Sequence, residues 1–459
     1  MSNKGYRVED PTTGEVLETF ESASNEEATT AVEKAHEAFL SWRETPIEER
    51  AKIVTRVAEL FEERKQELAE IISQEMGKPV SEGVEEAEFS AEIFGYYAKN
   101  GPSFVEDEEI SAGGGKAYIQ RLPLGVLVGI MPWNFPYYQV ARFAAPNLML
   151  GNTIVLKHAE ICPRSAQAIQ QIFDDAGLPA GAYISIFATH DQISDMIAHK
   201  HVQGVSLTGS ERAGAAVAAT AGKNLKKAVL ELGGSDPYVV IDTDDVKAAA
   251  ELAWNTRMYN TGQACNSNKR MIVMDDIYDE FVDELVSLAE NMKPGKPEEA
   301  GEGVYAPLSS RSAAEGLKAQ LDRAVEQGGK VRAGGTLADD ASSYFAPAVL
   351  TDLPVGCDAY YEELFGPVAT VYKVSSDEEA IELANNSQYG LGGAVFSQDE
   401  ARAKKLASQL EVGMANVNSP AGEGAEVPFG GVKNSGYGRE LGPYGMDEFV
   451  NKRMYFVAD

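Results

Sequence analysis

Gly204-Val205-Ser206-Leu207-Thr208-Gly209-Ser210-Glu211 sets a short apolar strand directly against a helix start. A helical pattern follows over 211–221, and the next strand run, 227–232, comes at once. Upstream, 124–130 and 153–157 have the unbroken apolar character of strands covered on both faces. Between them and Gly204 lie a helix over 163–176 that begins with Pro163, a strand over 183–187 and a helix over 192–199. This strand–helix rhythm predicts an α/β fold with a parallel, doubly wound sheet. A second α/β series starts after Gly233-Gly234, with strands over 238–241 and 271–274, a long helix from Val246 and another over 278–292. Residues 293–303, rich in Lys, Pro, Gly and Glu, read as a surface loop. The first 78 residues become amphipathic helices from residue 26 onward, with a further helix over 84–97 and an alternating strand over 117–121. Residues 453–457 read as a last strand, available for pairing with another chain.

The 459 residues carry 71 acidic and 40 basic side chains, a net −31. That length calls for two or three core-bearing units, and that charge repels phosphate backbones and anionic membrane surfaces. Nucleic acid and membrane are therefore excluded as main partners. The acidity fits a solvated surface, or a salty host. Met1–Asp10 lacks an apolar signal core, and three cysteines suit a reducing cytoplasm. No His, Cys or carboxylate grouping has the spacing of a metal site.

Four places have the residue types that chemistry needs. Cys265 lies in a loop of small residues, 260–267, which can bring a thiol to a pocket; a buried structural cysteine is the alternative. Cys162 and Cys357 lack such a loop and read as structural. Glu231 ends an apolar strand before two glycines, where desolvation raises a carboxyl toward the range of a general base; an ion-paired strand-end Glu is the alternative. In Pro132-Trp133-Asn134-Phe135-Pro136 two prolines fix a turn that aims an amide, as an oxyanion hole requires, or that simply caps. No Gly-x-Gly-x-x-Gly or phosphate-loop pattern is present. The helix start at Gly209-Ser210 can meet a phosphate or serve as a plain cap, and Lys157 with Glu160 follows another strand end. A carboxylate there accepts bonds from a ribose diol and repels a 2′-phosphate, which favours NAD while leaving NADP possible.

Taken in order, Pro132–Pro136, Leu156-Lys157, Thr208-Gly209-Ser210, Glu231-Leu232-Gly233-Gly234, Gly262-Gln263-Ala264-Cys265, Glu363-Leu364-Phe365-Gly366-Pro367 and 428–436 resemble the aldehyde dehydrogenase superfamily across essentially the whole chain. The length, the run 142–146 and the ending 442–452 are most similar to its short bacterial succinate-semialdehyde dehydrogenases. The resemblance implies a Rossmann-like cofactor-binding domain (1–104 and 124–233), an α/β catalytic domain (234–434) and a small oligomerisation β element with the C-terminal tail (105–123 and 435–459), in a homodimer or homotetramer. It implies Cys265 as nucleophile, Asn134 as oxyanion donor and Glu231 as the base that hydrolyses a thioester. Lys157, Glu160, Trp133, Gly209, Ser210, Gly233, Glu363 and Phe365 would bind the cofactor. Arg142 and Tyr138 would bind the substrate, with Arg142 holding a carboxylate. The implied reaction is NAD(P)-dependent oxidation of succinic semialdehyde, with glutaric semialdehyde or a general aliphatic aldehyde as the alternative. CoA-acylating release and a silent scaffold are the competing classes, both opposed by the intact Cys265, Glu231 and Asn134 set. Three positions depart from the family pattern. His158 replaces a proline, Phe143 a lysine that would relay protons to Glu440, and Tyr259 a second substrate arginine, for which Arg257 or Arg270 could stand in.

Overall fold

The computed structural model describes residues 5–422 and 424–459. The first four residues of the stretch read for a leader, and of the expected cofactor-binding unit, lie outside the described residues. So does Glu423 of the expected catalytic unit.

The strands predicted around Gly204 form one sheet. Its order is Gly436–Tyr437, Lys227–Glu231, Val202–Thr208, Val126–Met131, Thr153–His158, Tyr183–Ser185. All neighbours are parallel except the short Gly436–Tyr437 edge. The central strands are apolar on both faces because both are covered. Val126, Val128 and Val155 pack with Ile193 and Met196 of the helix His190–Ala198, while Leu127, Ile154 and Leu156 pack with the helix Pro136–Leu150 on the other side. Strand order reverses between Val126–Met131 and Val202–Thr208, and a crevice opens outside the carboxyl ends of strands at such a point.

The second series forms a seven-stranded sheet, Lys330–Ala333, Ala348–Thr351, Val368–Val374, Arg270–Met274, Pro237–Val240, Gly392–Phe396, Met414–Val417. It is parallel apart from the Lys330–Ala333 edge. Val239 and Ile272 face one core, Tyr238 and Met271 another. A three-stranded antiparallel sheet joins Glu108–Ala112, Gly115–Pro123 and Val450–Ala458.

Four boundaries differ from expectation. The helix expected over 84–97 runs from Val80 to Phe104, because Pro79 precedes it and its buried stripe continues to Gly101. The loop 293–303 begins with a two-residue strand, Lys293–Pro294, paired with Val304–Tyr305. The tail strand is longer than expected and pairs with Gly115–Pro123 of its own chain, leaving its other edge open. Gly436–Tyr437 join the first sheet and not the three-stranded one. Among the described residues no helix is long and apolar enough to cross a membrane.

Candidate active site

The loop that follows Val126–Met131 carries Trp133 and Asn134, and Gly209 and Ser210 follow Val202–Thr208, so both flank the switch point. Ser210 is the N-cap of Glu211–Lys223 and its Oγ accepts from the Ala213 N–H at 3.4 Å. The plain capping role is therefore real, and it leaves the first helical N–H groups of an exposed helix start for an anion. At the next strand end Lys157 Nζ lies 2.9 Å from Glu160 Oε1, and His190 Nε2 lies 3.6 Å from the same oxygen. Burial pushes the Glu160 carboxyl up, but Lys157 more than offsets it, so the group stays ionised below the ordinary range. On the facing side Phe365 meets the Trp133 ring edge-on at 5.7 Å. A Cβ on Gly233 would lie 2.5 Å from Glu363 Oε2, so glycine leaves room for this carboxylate at the turn after Glu231. A switch-point crevice, an uncovered helix start, a Lys–Glu pair at a strand end and a glycine cradle fit a nicotinamide dinucleotide.

Three successive residues with left-handed backbone shape the thiol loop: Asn260 (φ 50°), Thr261 (φ 51°) and Gly262 (φ 75°). For the two non-glycines this conformation costs about 1–2 kcal/mol each, so neighbours must hold it. The Glu82 carboxylate accepts the Asn260 N–H at 2.7 Å, and Asn260 Nδ2 donates to the Asn134 carbonyl at 2.9 Å. A Cβ on Gly262 would collide with Gly366 backbone at 2.5 Å. Asn134 itself is fixed at both ends of its amide. Oδ1 accepts from Gln139 Nε2 at 3.1 Å, and Nδ2 donates one hydrogen to the Gln263 carbonyl at 3.1 Å. The second amide hydrogen is not taken up by any of the described residues.

Cys265 follows in a cleft of about 790 Å³ lined by Phe89, Tyr138, Gln139, Tyr259, Cys265 and Phe429, among others. Burial pushes its thiol up to about 11, with Arg142 and Lys269 pulling it back and Glu363 and Glu231 pushing it further. Glu231 is 2% exposed and neither carboxylate oxygen has a hydrogen-bond partner among the described residues. Burial, then the charge of Glu440, raises its carboxyl well above the ordinary value, and Arg142 only partly opposes this. The strand-end ion pair weighed for Glu231 is not what the structure holds.

Arg142 departs from expectation. Its side chain is fully buried, its Nε lies 2.5 Å from Glu440 Oε2, and Nη2 donates to Thr208 Oγ1 at 3.4 Å. Its guanidinium stands 4.8 Å from the Tyr138 ring centre and 4.3 Å from that of Phe429, behind the two rings that line the cleft. The guanidinium expected to clamp a carboxylate directly is thus engaged with Glu440 and the two rings, and its Nη1 donates to the Tyr138 hydroxyl at 3.4 Å. Arg257 and Arg270 do not compensate. Both are buried and spend their donors on backbone carbonyls such as Val368 and Ser235. Phe143 packs on Phe449, and Glu440 is held by Arg142 and Ser206. His158 contacts the Pro136 carbonyl at 3.2 Å and burial lowers it to about 4, so it braces the turn as a neutral ring. Among the described residues no group of His, Cys, Asp and Glu is placed to hold a metal ion.

Gln139, Lys269 and Glu82 were not foreseen. Lys269, four residues beyond the thiol and directly before the buried strand Arg270–Met274, carried the clearest signal: a lysine is rarely fully buried unless it is paired.

The profile of the aldehyde dehydrogenase family matches residues 1–455. A Deinococcus radiodurans protein named succinate-semialdehyde dehydrogenase (NADP+) is 50% identical over 98% of this chain and 94% of its own. An Escherichia coli succinate semialdehyde dehydrogenase (NAD(P)+) is 39% identical over 96% of this chain and 95% of its own. The crystal structure of succinic semialdehyde dehydrogenase from Streptococcus pyogenes with NADP+ superposes with a TM-score of 0.96 at 41% identity, covering 99% of this chain and 100% of that one.

Proposed function

The chain belongs to the aldehyde dehydrogenase family, and from that premise we propose that it oxidises succinic semialdehyde to succinate with a nicotinamide dinucleotide. Cys265 adds to the aldehyde carbonyl as a thiolate, forming a thiohemiacetal whose oxyanion takes the free Asn134 N–H and the Cys265 backbone N–H. A nicotinamide held beside Cys265 would supply the hydride acceptor, and Cys265 would then carry the acyl group as a thioester. Glu231 takes a proton from water, the hydroxide adds to the thioester carbonyl, and the acid departs with the thiolate restored. One observation carries the reading: a buried Glu231, with no hydrogen-bond partner among the described residues, lies near enough to Cys265 for its charge to act on the thiol. Such a carboxylate is costly to the fold and is explained by a water that it must activate.

Tyr138, with Arg142 charged behind it, takes the substrate's far carboxylate. Lys157, Glu160, Trp133, Gly209, Ser210, Gly233, Glu363 and Phe365 hold the cofactor. In this reading 1–104 with 124–233 binds the cofactor and 234–434 carries the thiol. The open edge of Val450–Ala458 and the exposed Ile110, Met454 and Phe456 serve a homo-oligomer. Three free cysteines suit a reducing cytoplasm.

The relatives' names support NAD(P) use and do not support NAD as the primary cofactor. The case for NAD rests on Glu160 alone. A panel of succinic semialdehyde, glutaric semialdehyde, betaine aldehyde and aliphatic aldehydes, each with NAD and NADP, tests both parts. The highest kcat/KM falls on succinic semialdehyde. A strong NADP preference discards the Glu160 argument, and a preference for neutral aldehydes discards the Tyr138–Arg142 assignment.

A further inference from the structure

We propose that Lys269 is a positioning residue that joins the Cys265 loop to Glu363, so that seating the cofactor and poising the thiol become one event. This rests on the roles given above to Cys265 and Glu363. Lys269 is 2% exposed. Its ammonium has three hydrogens and three acceptors: the Ala264 carbonyl at 2.6 Å, the Cys265 carbonyl at 2.8 Å and Glu363 Oε1 at 3.1 Å. With all three donors engaged, the ammonium is held in one place, and it fixes the carbonyl of the reactive residue itself. The Gly234 N–H also donates to Glu363 Oε1, at 3.2 Å.

The turn after Glu231 is cut to fit this cluster. A Cβ on Gly234 would lie 2.5 Å from the Cys265 carbonyl, and one on Gly233 would lie 2.5 Å from Glu363 Oε2. The base-bearing strand, the thiol loop and the Glu363 loop therefore converge on a single cation. Movement of Glu363 on binding a ribose is passed through Lys269 to the backbone of Cys265. The charge acts on the thiol as well. Arg142 and Lys269 favour the thiolate, Glu363 and Glu231 oppose it, and Tyr138 lines the same cleft. A Glu363 turned toward a ligand's hydroxyls leaves Lys269 less neutralised and the thiolate more favoured.

The test measures iodoacetamide alkylation of Cys265 at pH 8, read by mass spectrometry at that residue, with and without NAD or NADP and with no aldehyde. In the wild type, saturating cofactor changes the alkylation rate. Lys269→Met is alkylated about tenfold more slowly, the effect of one pKa unit on the thiolate, and cofactor no longer changes its rate although it still binds. Lys269→Gln, which keeps amide donors for the two carbonyls and loses the charge, behaves like Met and carries the test if Met does not fold. Lys269→Arg recovers part of both effects. A Lys269→Gln enzyme with wild-type alkylation and wild-type cofactor response overturns the proposal. Failure of the functional reading is distinguishable, because it shows as NAD(P)-linked turnover that survives Cys265→Ala.

Discussion

Glu231 is where fold stability and chemistry pull apart. Its carboxyl is raised by burial and by Glu440, so the folded protein holds that proton more tightly than the unfolded chain does. The stability this contributes is fully present below the ordinary value of 4.5 and is lost as pH rises through the raised one. Glu231→Gln keeps the shape of the protonated acid, so its Tm exceeds that of the wild type at pH 8, and the two converge near pH 4. Equal differences at both pH values would show that Glu231 is not the strained group. The suspicion that fell on Glu231 in sequence came from one signal, a charge closing an apolar strand before two glycines. What sequence could not convey is that Arg142 turns toward Glu440. Arg142 lies on the same helix as Tyr138, one turn on, but its partner is 298 positions away in the chain.

At the level of elements, the helix Val80–Phe104 braces the active site from outside both sheets. Glu82 holds Asn260, and Glu86 Oε1 accepts the N–H groups of Tyr137 (2.8 Å) and Tyr138 (3.1 Å), capping the helix that carries Gln139 and Arg142. Lys78, fully buried, pairs with Glu86 and stands 3.6 Å from the Phe135 ring centre. Glu86→Ala strands that ammonium and uncaps the helix. A loss of about 3–5 kcal/mol follows, measurable as a lower denaturant midpoint, whereas a change below 1 kcal/mol would mean the pair is dispensable. The strands and helices of both sheets were legible because apolar runs and helix caps are local. The brace was not, since buried Lys78 and Glu86 and half-buried Glu82 look like the solvated face of an acidic helix until its packing partners are known. The strained turn 260–262 was equally hidden, because its left-handed backbone is imposed by Glu82 and Gly366 from elsewhere in the chain.

For the whole molecule, the net −31 gains a location. Glu85, Glu88 and Glu92 stand at the cleft, and none of the described residues lining it is basic. An anionic semialdehyde must pass this rim before it meets Tyr138. Salt at 0.15 M screens charges beyond about 8 Å, so KM for succinic semialdehyde falls as salt rises from a few millimolar while kcat holds. A steep loss of activity over that range would contradict the picture. The two-sheet architecture then brings Asn134 and Glu231 from one sheet near the Cys265 loop at the entrance of the other, where the cleft lies. The central claim is that this space runs two chemical steps, acylation of Cys265 and hydrolysis assisted by Glu231. Rapid mixing of Glu231→Gln with cofactor and succinic semialdehyde tests it most directly. The account predicts a burst of reduced cofactor matching the Cys265 content, followed by turnover slowed on the order of 10²–10⁴-fold. Steady turnover at the wild-type rate, or no burst from a folded variant, would contradict it.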